Sequence, residues 1–225
     1  MKLYSYFRSS AAYRVRIVLN LKHISYDTIP VHLVRHGGEQ NSAEYLDVNP
    51  QGLVPSLDIT PTINAGEREL KPQIITQSTA IIEYLEEAFP QPALLPINLI
   101  ERAYIRTLMQ IIACDIHPVN NLRVLHYLEE CFDCDKAEKI TWYHHWLATG
   151  FAAFERLLIE NGSTQYCCHK QVTLADVYLI PQVYNALRFN LDMSPYPTIN
   201  RIYQHCIQIP AFVDAAPEQQ PDADI

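Results

Sequence analysis

The sequence predicts an α/β domain over residues 1–90, followed by an all-helical domain over residues 93–225. A length of 225 residues exceeds that of one typical domain. In the first part, short aromatic or β-branched runs alternate with segments of helical periodicity, which is typical of α/β domains. Beyond Pro92 the apolar residues recur only at helical spacing, so we expect no strands there.

The first elements are a strand over residues 2–7, a turn, and a helix that begins near Ser9 and Ser10. The apolar residues of this helix lie three and four positions apart, and Arg14 and Arg16 lie off that face. The two serine hydroxyls therefore stand at the positive end of the helix, where a thiolate, phosphate or carboxylate is stabilised. The alternative is that both serines only cap the helix.

The rest of the first domain consists of three more strands and two more helices. In order, we predict a strand over residues 23–33, a helix from Ser42 to Val48, a strand over 53–59, a long turn over 60–71, a strand over 72–76, and a helix from Gln77-Ser78-Thr79 to the residue before Pro90. Pro55 interrupts the third strand, so it lies at a sheet edge or in a special peptide bond. This β-α-β-α-β-β-α order is that of thioredoxin-like domains.

The second domain has four long helical patterns, over residues 99–130, 136–161, 174–190 and 198–207. Thr173-Leu-Ala-Asp176 predicts a capping box at the start of the third of these. Residues 215–225 are rich in proline and acid and predict a surface tail.

The composition argues against several partners and compartments. A net charge of −8 disfavours nucleic acid or an anionic membrane, because binding phosphate requires clustered cations. No apolar run approaches the length of a membrane-spanning helix. We expect no signal peptide and a cytoplasmic protein with reduced cysteines. Cys131 and Cys134 form a C-x-x-C pair, but they lack a second ligand pair at zinc spacing.

Motifs along nearly the whole chain resemble those of zeta-class glutathione transferases, and of the bacterial maleylacetoacetate and maleylpyruvate isomerases in particular. The motifs are YFRSSAAYRVRI at 6–17, NPQGLVPSL at 49–57, QS at 77–78 with AIIEYLEE at 80–87, CDIHPVNNLRVL at 114–125, and TLAD at 173–176 with PQV at 181–183 and RFNLD at 188–192. The resemblance implies a glutathione transferase fold, with glutathione bound by the thioredoxin-like domain and substrate by the helical domain.

The resemblance also implies a set of site residues. Ser9 would donate a hydrogen bond to the glutathione sulfur and favour the thiolate, and Ser10 is the next candidate donor. The implied glutathione ligands are Ser9, Ser10, Ala11, Arg14, Gln40, Val54, Pro55, Gln77, Ser78, His117, Asn121, Leu122 and Arg123. The peptide bond before Pro55 would be cis, and Ser78 would hold a carboxylate at a helix N-terminus. His117 with the proline after it has an alternative role, as a packing pair at a helix kink.

For a substrate with two acidic ends, the implied ligands are Arg8, Asn120 and Arg188, since arginine binds both oxygens of a carboxylate. A salt bridge is the alternative role for either arginine. The implied reaction is cis–trans isomerisation of maleylacetoacetate in tyrosine and phenylalanine breakdown, by addition, rotation and elimination of the thiolate, with no metal. Maleylpyruvate is the rival substrate. Transfer of glutathione to small α-halo acids and a non-catalytic binding module are further alternatives.

The chain departs from the family pattern at three places. Ala11 and Tyr13 stand where many zeta enzymes have cysteine and tryptophan, and the segment between Leu57 and Gln77 is longer than usual. The loss of the cysteine leaves the serine mechanism intact. The resemblance further implies a homodimer, with an interface on the helices around residues 80–88 and 102–113.

Overall fold

The computed structural model describes residues 1–61, 71–168 and 170–223. These residues group into two compact units. The first comprises Met1–Pro92 with Pro210–Ile225, and the second is Ala93–Ile209. The predicted division differs from this arrangement in one respect, since it placed residues 210–225 in the helical domain.

The first unit has the predicted order of elements, which confirms the thioredoxin-like domain. They are β1 (Lys2–Ser5), α1 (Ser10–Leu21), β2 (Asp27–Pro30), α2 (Ala43–Val48), β3 (Ser56–Asp58), β4 (Ile74–Thr76) and α3 (Ser78–Ala88). In the described residues the sheet order is β2-β1-β3-β4, with β2 parallel to β1 and both other pairings antiparallel. Most of the turn predicted over residues 60–71 lies outside the described residues.

The sheet and two helices enclose the core of the first unit. Leu3 of β1 and Leu57 of β3 are fully buried, as are Val15 of α1 and Ile81 of α3. β3 is shorter than predicted because Pro55 has no N–H to donate, so the ladder begins at the residue after it. This arrangement places the N-terminal ends of α1 and α3 next to the ends of β1 and β4, where the predicted site residues lie.

In the second unit, residues 93–168 and 170–209 form helices and no strand, as predicted. The helices are α4 (Leu99–Gln110), α5 (Leu122–Phe132), α6 (Lys136–Glu160), α7 (Leu174–Arg188) and α8 (Pro197–Cys206). The helix predicted over 99–130 is interrupted: α4 continues as a π-helical segment, Ile111–Ile116, and α5 begins only after residue 121. No helix in the described part of the chain is both long and apolar enough to cross a membrane.

The predicted capping box at the start of α7 is present. Thr173 donates to Asp176 Oδ2 from its backbone N (2.8 Å) and from its hydroxyl (2.9 Å). The other oxygen, Oδ1, accepts a hydrogen bond from the backbone N of Cys167 (2.8 Å). Burial raises the pKa of Asp176, and these hydrogen bonds oppose that rise. The carboxylate therefore holds both the helix start and the preceding loop.

The prediction of a surface tail over residues 215–225 is wrong for part of that segment. Helix α9 (Pro210–Ala215) packs on α1, and Ala215, Pro217 and Gln220 are buried, whereas Glu218, Gln219 and Pro221 are exposed. Proline and acidic content predict exposure, but Arg16 of α1 donates to Ala215 O and the backbone N of Phe7 donates to Asp222 Oδ2, so distant residues hold this segment. Such contacts leave no mark in the composition of the segment itself.

The π-helical segment Ile111–Ile116 packs against Gly150 of α6. The side chain of Ile116, which is fully buried, occupies the space that a Cβ on Gly150 would take. We expect Gly150→Ala to lower the free energy of unfolding by about 1–2 kcal/mol, measured by urea unfolding followed by circular dichroism. Helix propensity alone gives the opposite sign, a gain of about 1 kcal/mol. A stabilised variant would therefore contradict the close packing of Ile116 against Gly150. The control is Thr149→Ala, at the exposed neighbouring position.

Candidate active site

The turn between β1 and α1 carries the predicted catalytic serine. Ser9 is the N-cap of α1, and its Oγ accepts a hydrogen bond from the backbone N of Ala12 (3.2 Å). Its own N–H donates to Tyr6 O (2.9 Å), which closes the turn. Because the Ser9 oxygen acts as the acceptor in the cap, its O–H stays a donor. The two roles considered for Ser9, helix cap and anion donor, are therefore compatible in one geometry.

Residues after Ser9 connect the start of α1 to the start of α3. Ser10 and Ala11 are buried in the first turn of α1. Arg14, also buried, donates from Nη1 to the Ser78 hydroxyl (3.4 Å). Arg14 and Arg16 do lie off the apolar face as predicted, but both guanidinium groups are buried rather than solvated. The structure thus brings two predicted glutathione ligands, Arg14 and Ser78, into contact.

The N-terminus of α3 carries two of the predicted glutathione ligands, Gln77 and Ser78. Gln77 is the N-cap with φ 68° and ψ 119°, a left-handed conformation that is uncommon for a residue other than glycine. The side chain of Gln77 makes no capping hydrogen bond to α3, and its amide donates instead to Gln51 Oε1 (2.7 Å). The first N–H groups of an α-helix have no partner within the helix, and this end of α3 is where the resemblance places the carboxylate.

The loop before β3 contains the predicted cis peptide bond, between Val54 and Pro55. Two side chains that we had not singled out hold this loop: Tyr45 Oη and Asn49 Nδ2 both donate to Leu53 O, at 2.6 and 2.7 Å. Tyr45 also shares a hydrogen bond with the hydroxyl of Ser56 (3.0 Å). Burial raises the pKa of Tyr45, so its hydroxyl stays protonated as a donor. In the sequence Asn49 stands only as the first residue of the NPQGLVPSL motif, and no spacing pattern marks Tyr45.

Gln40 is the predicted glutathione ligand that the structure ties to its own loop. Its Nε2 donates to Leu33 O at 3.5 Å, and its side chain lies against Gly38. Gly38 has φ 94°, and a Cβ there would overlap the Gln40 amide. The loop conformation therefore places Gln40, although in the described structure it meets none of the other predicted ligands.

In the second unit, the predicted residues surround the end of the π-helical segment. His117 N donates to Ile112 O (2.9 Å), and Asn121 caps α5 by accepting from Arg123 N (3.1 Å). Leu122 is the first residue of that helix and Arg123 is exposed. Asn121 thus has a structural task, whereas the side chain of Arg123 is open to solvent.

Asn120 and Arg188 belong to one cluster around Tyr143. Asn120 is buried and donates from Nδ2 to Tyr143 O (3.1 Å), and within the described residues its Oδ1 is buried without a hydrogen bond. The ring of Phe189 stacks on Tyr143 at a centroid distance of 4.0 Å, and the Arg188 guanidinium lies 4.8 Å above Phe189. Burial raises the pKa of Tyr143 to about 12, and the charge of Arg188 opposes that rise. Arg188 is therefore an exposed cation stacked on Phe189, and Tyr143 is the residue that links it to Asn120.

Arg8 is the other predicted carboxylate ligand. It is exposed in the turn before Ser9, with its guanidinium 4.7 Å from the ring of Phe7.

Across the part of the chain that is described, no three His, Cys, Asp or Glu side chains converge as metal ligands do. Cys131 and Cys134 are free thiols at the end of α5.

Comparison with known proteins identifies the family. Residues 3–93 match the family model described as glutathione S-transferase, N-terminal domain. Over the whole length the chain is similar to a Vibrio cholerae protein described as a probable maleylacetoacetate isomerase, with 48% identity over 98% of this chain and 97% of that protein.

Two solved structures are similar over nearly all of the chain. The holo structure of a bacterial maleylpyruvate isomerase of the zeta class has a TM-score of 0.90 and 42% identity, with 100% of both chains covered. A maleylacetoacetate isomerase from Anaeromyxobacter dehalogenans 2CP-1, with dicarboxyethyl glutathione and citrate bound in its active site, has a TM-score of 0.83 and 37% identity, with 99% of this chain and 93% of that chain covered. With identity at this level over the full length, the chain belongs to the zeta class of glutathione transferases.

Proposed function

We propose that this protein is a glutathione-dependent isomerase that converts maleylacetoacetate to fumarylacetoacetate. The observation that carries the proposal is the half-buried Ser9 hydroxyl at the positive end of α1, with its O–H available to a sulfur anion. A hydrogen bond and a helix N-terminus both favour the thiolate over the thiol, and the thiolate is the nucleophile.

In the proposed complex, the first unit holds glutathione. The backbone of Val54, before Pro55, pairs with the cysteinyl part of glutathione as an added strand would. The γ-glutamyl carboxylate lies at the α3 N-terminus, where Ser78 and Arg14 meet and Gln77 stands at the N-cap. Further contacts are proposed from Ser10, Ala11 and Gln40 in this unit and from His117, Asn121, Leu122 and Arg123 in the second.

The reaction is an addition followed by an elimination. The sulfur forms a bond to one carbon of the cis double bond, and the π electrons move to the conjugated carbonyl as an enolate. The former double bond is now single and rotates. The enolate then re-forms the double bond as the carbon–sulfur bond breaks, which releases the trans product and the same thiolate. Ser9 stabilises the thiolate at both ends of the cycle, and hydrogen-bond donors stabilise the enolate.

The acidic groups of the substrate call for cations, which Arg8 and Arg188 offer as exposed guanidinium groups. The Anaeromyxobacter relative binds dicarboxyethyl glutathione. Addition of the glutathione thiol across the double bond of a four-carbon enedioate gives this adduct, so that relative accommodates both the sulfur link and two carboxylates. That chemistry supports a dicarboxylate as the substrate class here.

We expect Arg188→Ala to raise KM for the enedioate about tenfold to a hundredfold while kcat changes by less than about threefold, because a charge-assisted hydrogen bond to a carboxylate is lost. Steady-state kinetics at saturating glutathione measure both constants. Arg156→Ala is the control, since that arginine is 81% exposed and pairs only with Glu160 one turn away among the described residues. An unchanged KM would mean that Arg188 has a structural or surface role instead.

The function is tested by the glutathione-dependent loss of the absorbance of the cis isomer, with maleylacetoacetate and maleylpyruvate assayed in parallel. Faster turnover of maleylacetoacetate supports the proposal. Faster turnover of maleylpyruvate would favour the second candidate, which the likeness to a maleylpyruvate isomerase supports. If neither is consumed, the isomerase proposal fails: stable adducts with α-halo acids would then indicate a transferase, and failure to bind glutathione a non-catalytic module.

We further propose a homodimer in the cytoplasm, where glutathione is abundant and thiols stay reduced. The strongest support for a dimer is a group of exposed apolar residues at the start of α4, namely Ile97, Leu99 and Ile100, next to the interface region predicted from the resemblance. Light scattering after size exclusion measures the assembly, and a monomer at micromolar concentration would count against it.

A further inference from the structure

The C-terminal segment is attached to the polar face of α1. Three side chains of α1 donate to backbone carbonyls of α9: Tyr13 to Phe212 O (3.1 Å), Arg16 to Ala215 O (2.9 Å) and Asn20 to Ala211 O (3.1 Å). The donors are three and four positions apart and so share one helix face. Phe212 O and Ala215 O are among the last four carbonyls of this helix, which have no partner within it, so the bonds from Tyr13 and Arg16 satisfy groups that the helix itself leaves unpaired.

Arg16 also reaches the strand and turn that precede Ser9. It is fully buried, and it donates to the Ser5 hydroxyl (3.0 Å) and to Phe7 O (3.1 Å). Burial lowers the pKa of Arg16 to about 10, and Asp222 is among the groups whose charge opposes that fall. Arg16 is thus still a cation at neutral pH, and one guanidinium links β1, the turn and the C-terminal segment.

Asp222 completes this linkage from the far end of the chain. Its Oδ2 accepts a hydrogen bond from the backbone N of Phe7 (3.0 Å). Its Oδ1 is buried and makes no hydrogen bond within the described residues. The N–H of Phe7 is therefore held by Asp222 and its C=O by Arg16, two residues before Ser9.

We propose that the C-terminal segment positions the catalytic turn, with Asp222 and Arg16 acting through Phe7 on the orientation of the Ser9 hydroxyl. The turn from Tyr6 to Ser9 is closed by one backbone hydrogen bond, so displacement of Phe7 moves Ser9 with it. Hydrogen bonds weaken steeply with misalignment, and a displacement of an ångström at a reacting group costs rate. Asp222 and Arg16 are positioning residues in this account and touch neither glutathione nor substrate. The inference rests on the proposed function, because the anion that Ser9 serves is the glutathione thiolate.

The test uses the full-length protein with Asp222→Ala, which removes the acceptor, and Asp222→Asn, which keeps an oxygen for Phe7 N–H. Asp214→Ala is the matched control, since it removes a carboxylate that is exposed in the same segment. The readouts are the apparent pKa of bound glutathione, followed through the ultraviolet absorbance of its thiolate, kcat and KM for glutathione, and hydrogen exchange of the Phe7 amide.

We expect Asp222→Ala to raise the apparent pKa of bound glutathione, lower kcat/KM about three- to tenfold, and speed exchange at Phe7 about tenfold. Asp222→Asn should stay within about twofold of wild type in kcat/KM, and Asp214→Ala should match wild type. If Asp222→Ala changes only the melting temperature, the contact is structural and the inference is overturned. If the wild type itself binds no glutathione, the proposed function fails, and that result is separate from any difference between variants.

Discussion

Replacing Ser9 by alanine is expected to lower kcat for glutathione-dependent isomerisation about a hundredfold to a thousandfold. That range is typical for the loss of one preorganised donor at a developing or resting anion. The substitution removes the O–H that would face the sulfur, while the N-terminus of α1 remains. The apparent pKa of bound glutathione should therefore rise, and part of the lost rate should return at higher pH, where more thiolate forms without the hydroxyl.

The stability of the Ser9→Ala variant must be separated from its activity, because Ser9 is also a helix cap. Loss of an N-cap serine costs about 0.5–2 kcal/mol. Ser42 offers a matched control, since its Oγ caps α2 through Tyr45 N at the same 3.2 Å that separates Ser9 Oγ from Ala12 N. Ser42→Ala should lose comparable stability and keep its activity. Ser9→Thr, which keeps a hydroxyl, should recover most of the rate.

Ser10→Ala distinguishes the two candidate serines. Ser10 is already within α1 and is 4% exposed, whereas Ser9 precedes the helix and is half-buried. We expect Ser10→Ala to retain at least about a tenth of the activity, as for the loss of an ordinary neutral hydrogen bond. If Ser10→Ala were the more damaging change, the assignment of the sulfur donor to Ser9 would be wrong.

The elements that could be predicted from the sequence depend on local patterns. The Ser9 cap, the Thr173–Asp176 capping box and the order of strands follow from residue spacing within a few positions, and all are present. The cis bond before Pro55 was implied by resemblance and is also present. These features need no knowledge of which distant segments meet.

The features that were missed depend on contacts between distant segments. Arg16 lies off the apolar face of α1, as predicted. Helix α9 covers the face of α1 that carries Arg16 and so buries this residue. Asp222 looked like part of an acidic tail because its acceptor role depends on a backbone N–H at the other end of the chain. The π-helical segment after α4 packs against Gly150 through Ile116, and no hydrophobic spacing in the sequence marks this change of helix type. Site residues with local roles were therefore predictable, whereas the distant residues that hold them in place were not.

Replacement of Lys22 is expected to lower the stability of the first unit strongly, because its ammonium is buried with several partners. Its ammonium pairs with Glu86 Oε2 at 2.7 Å and donates to Phe89 O (2.6 Å) and Pro92 O (3.0 Å). The side chain of Lys22 is 0% exposed and that of Glu86 is 9% exposed. One buried cation thus ties the end of α1 to the end of α3 and the segment that follows it.

We expect Lys22→Met to lower the free energy of unfolding by about 3–5 kcal/mol, because it leaves a buried carboxylate and two carbonyls without their cation. Methionine keeps most of the stem, so little of the loss comes from packing. Glu86→Gln should cost less, since an amide oxygen still accepts from the ammonium. Arg156→Met, at an exposed ion pair, should cost less than about 1 kcal/mol. Chemical denaturation of the wild type and the three variants measures these differences. If Lys22→Met loses no more stability than Arg156→Met, the buried pair does not contribute to the stability of the first unit.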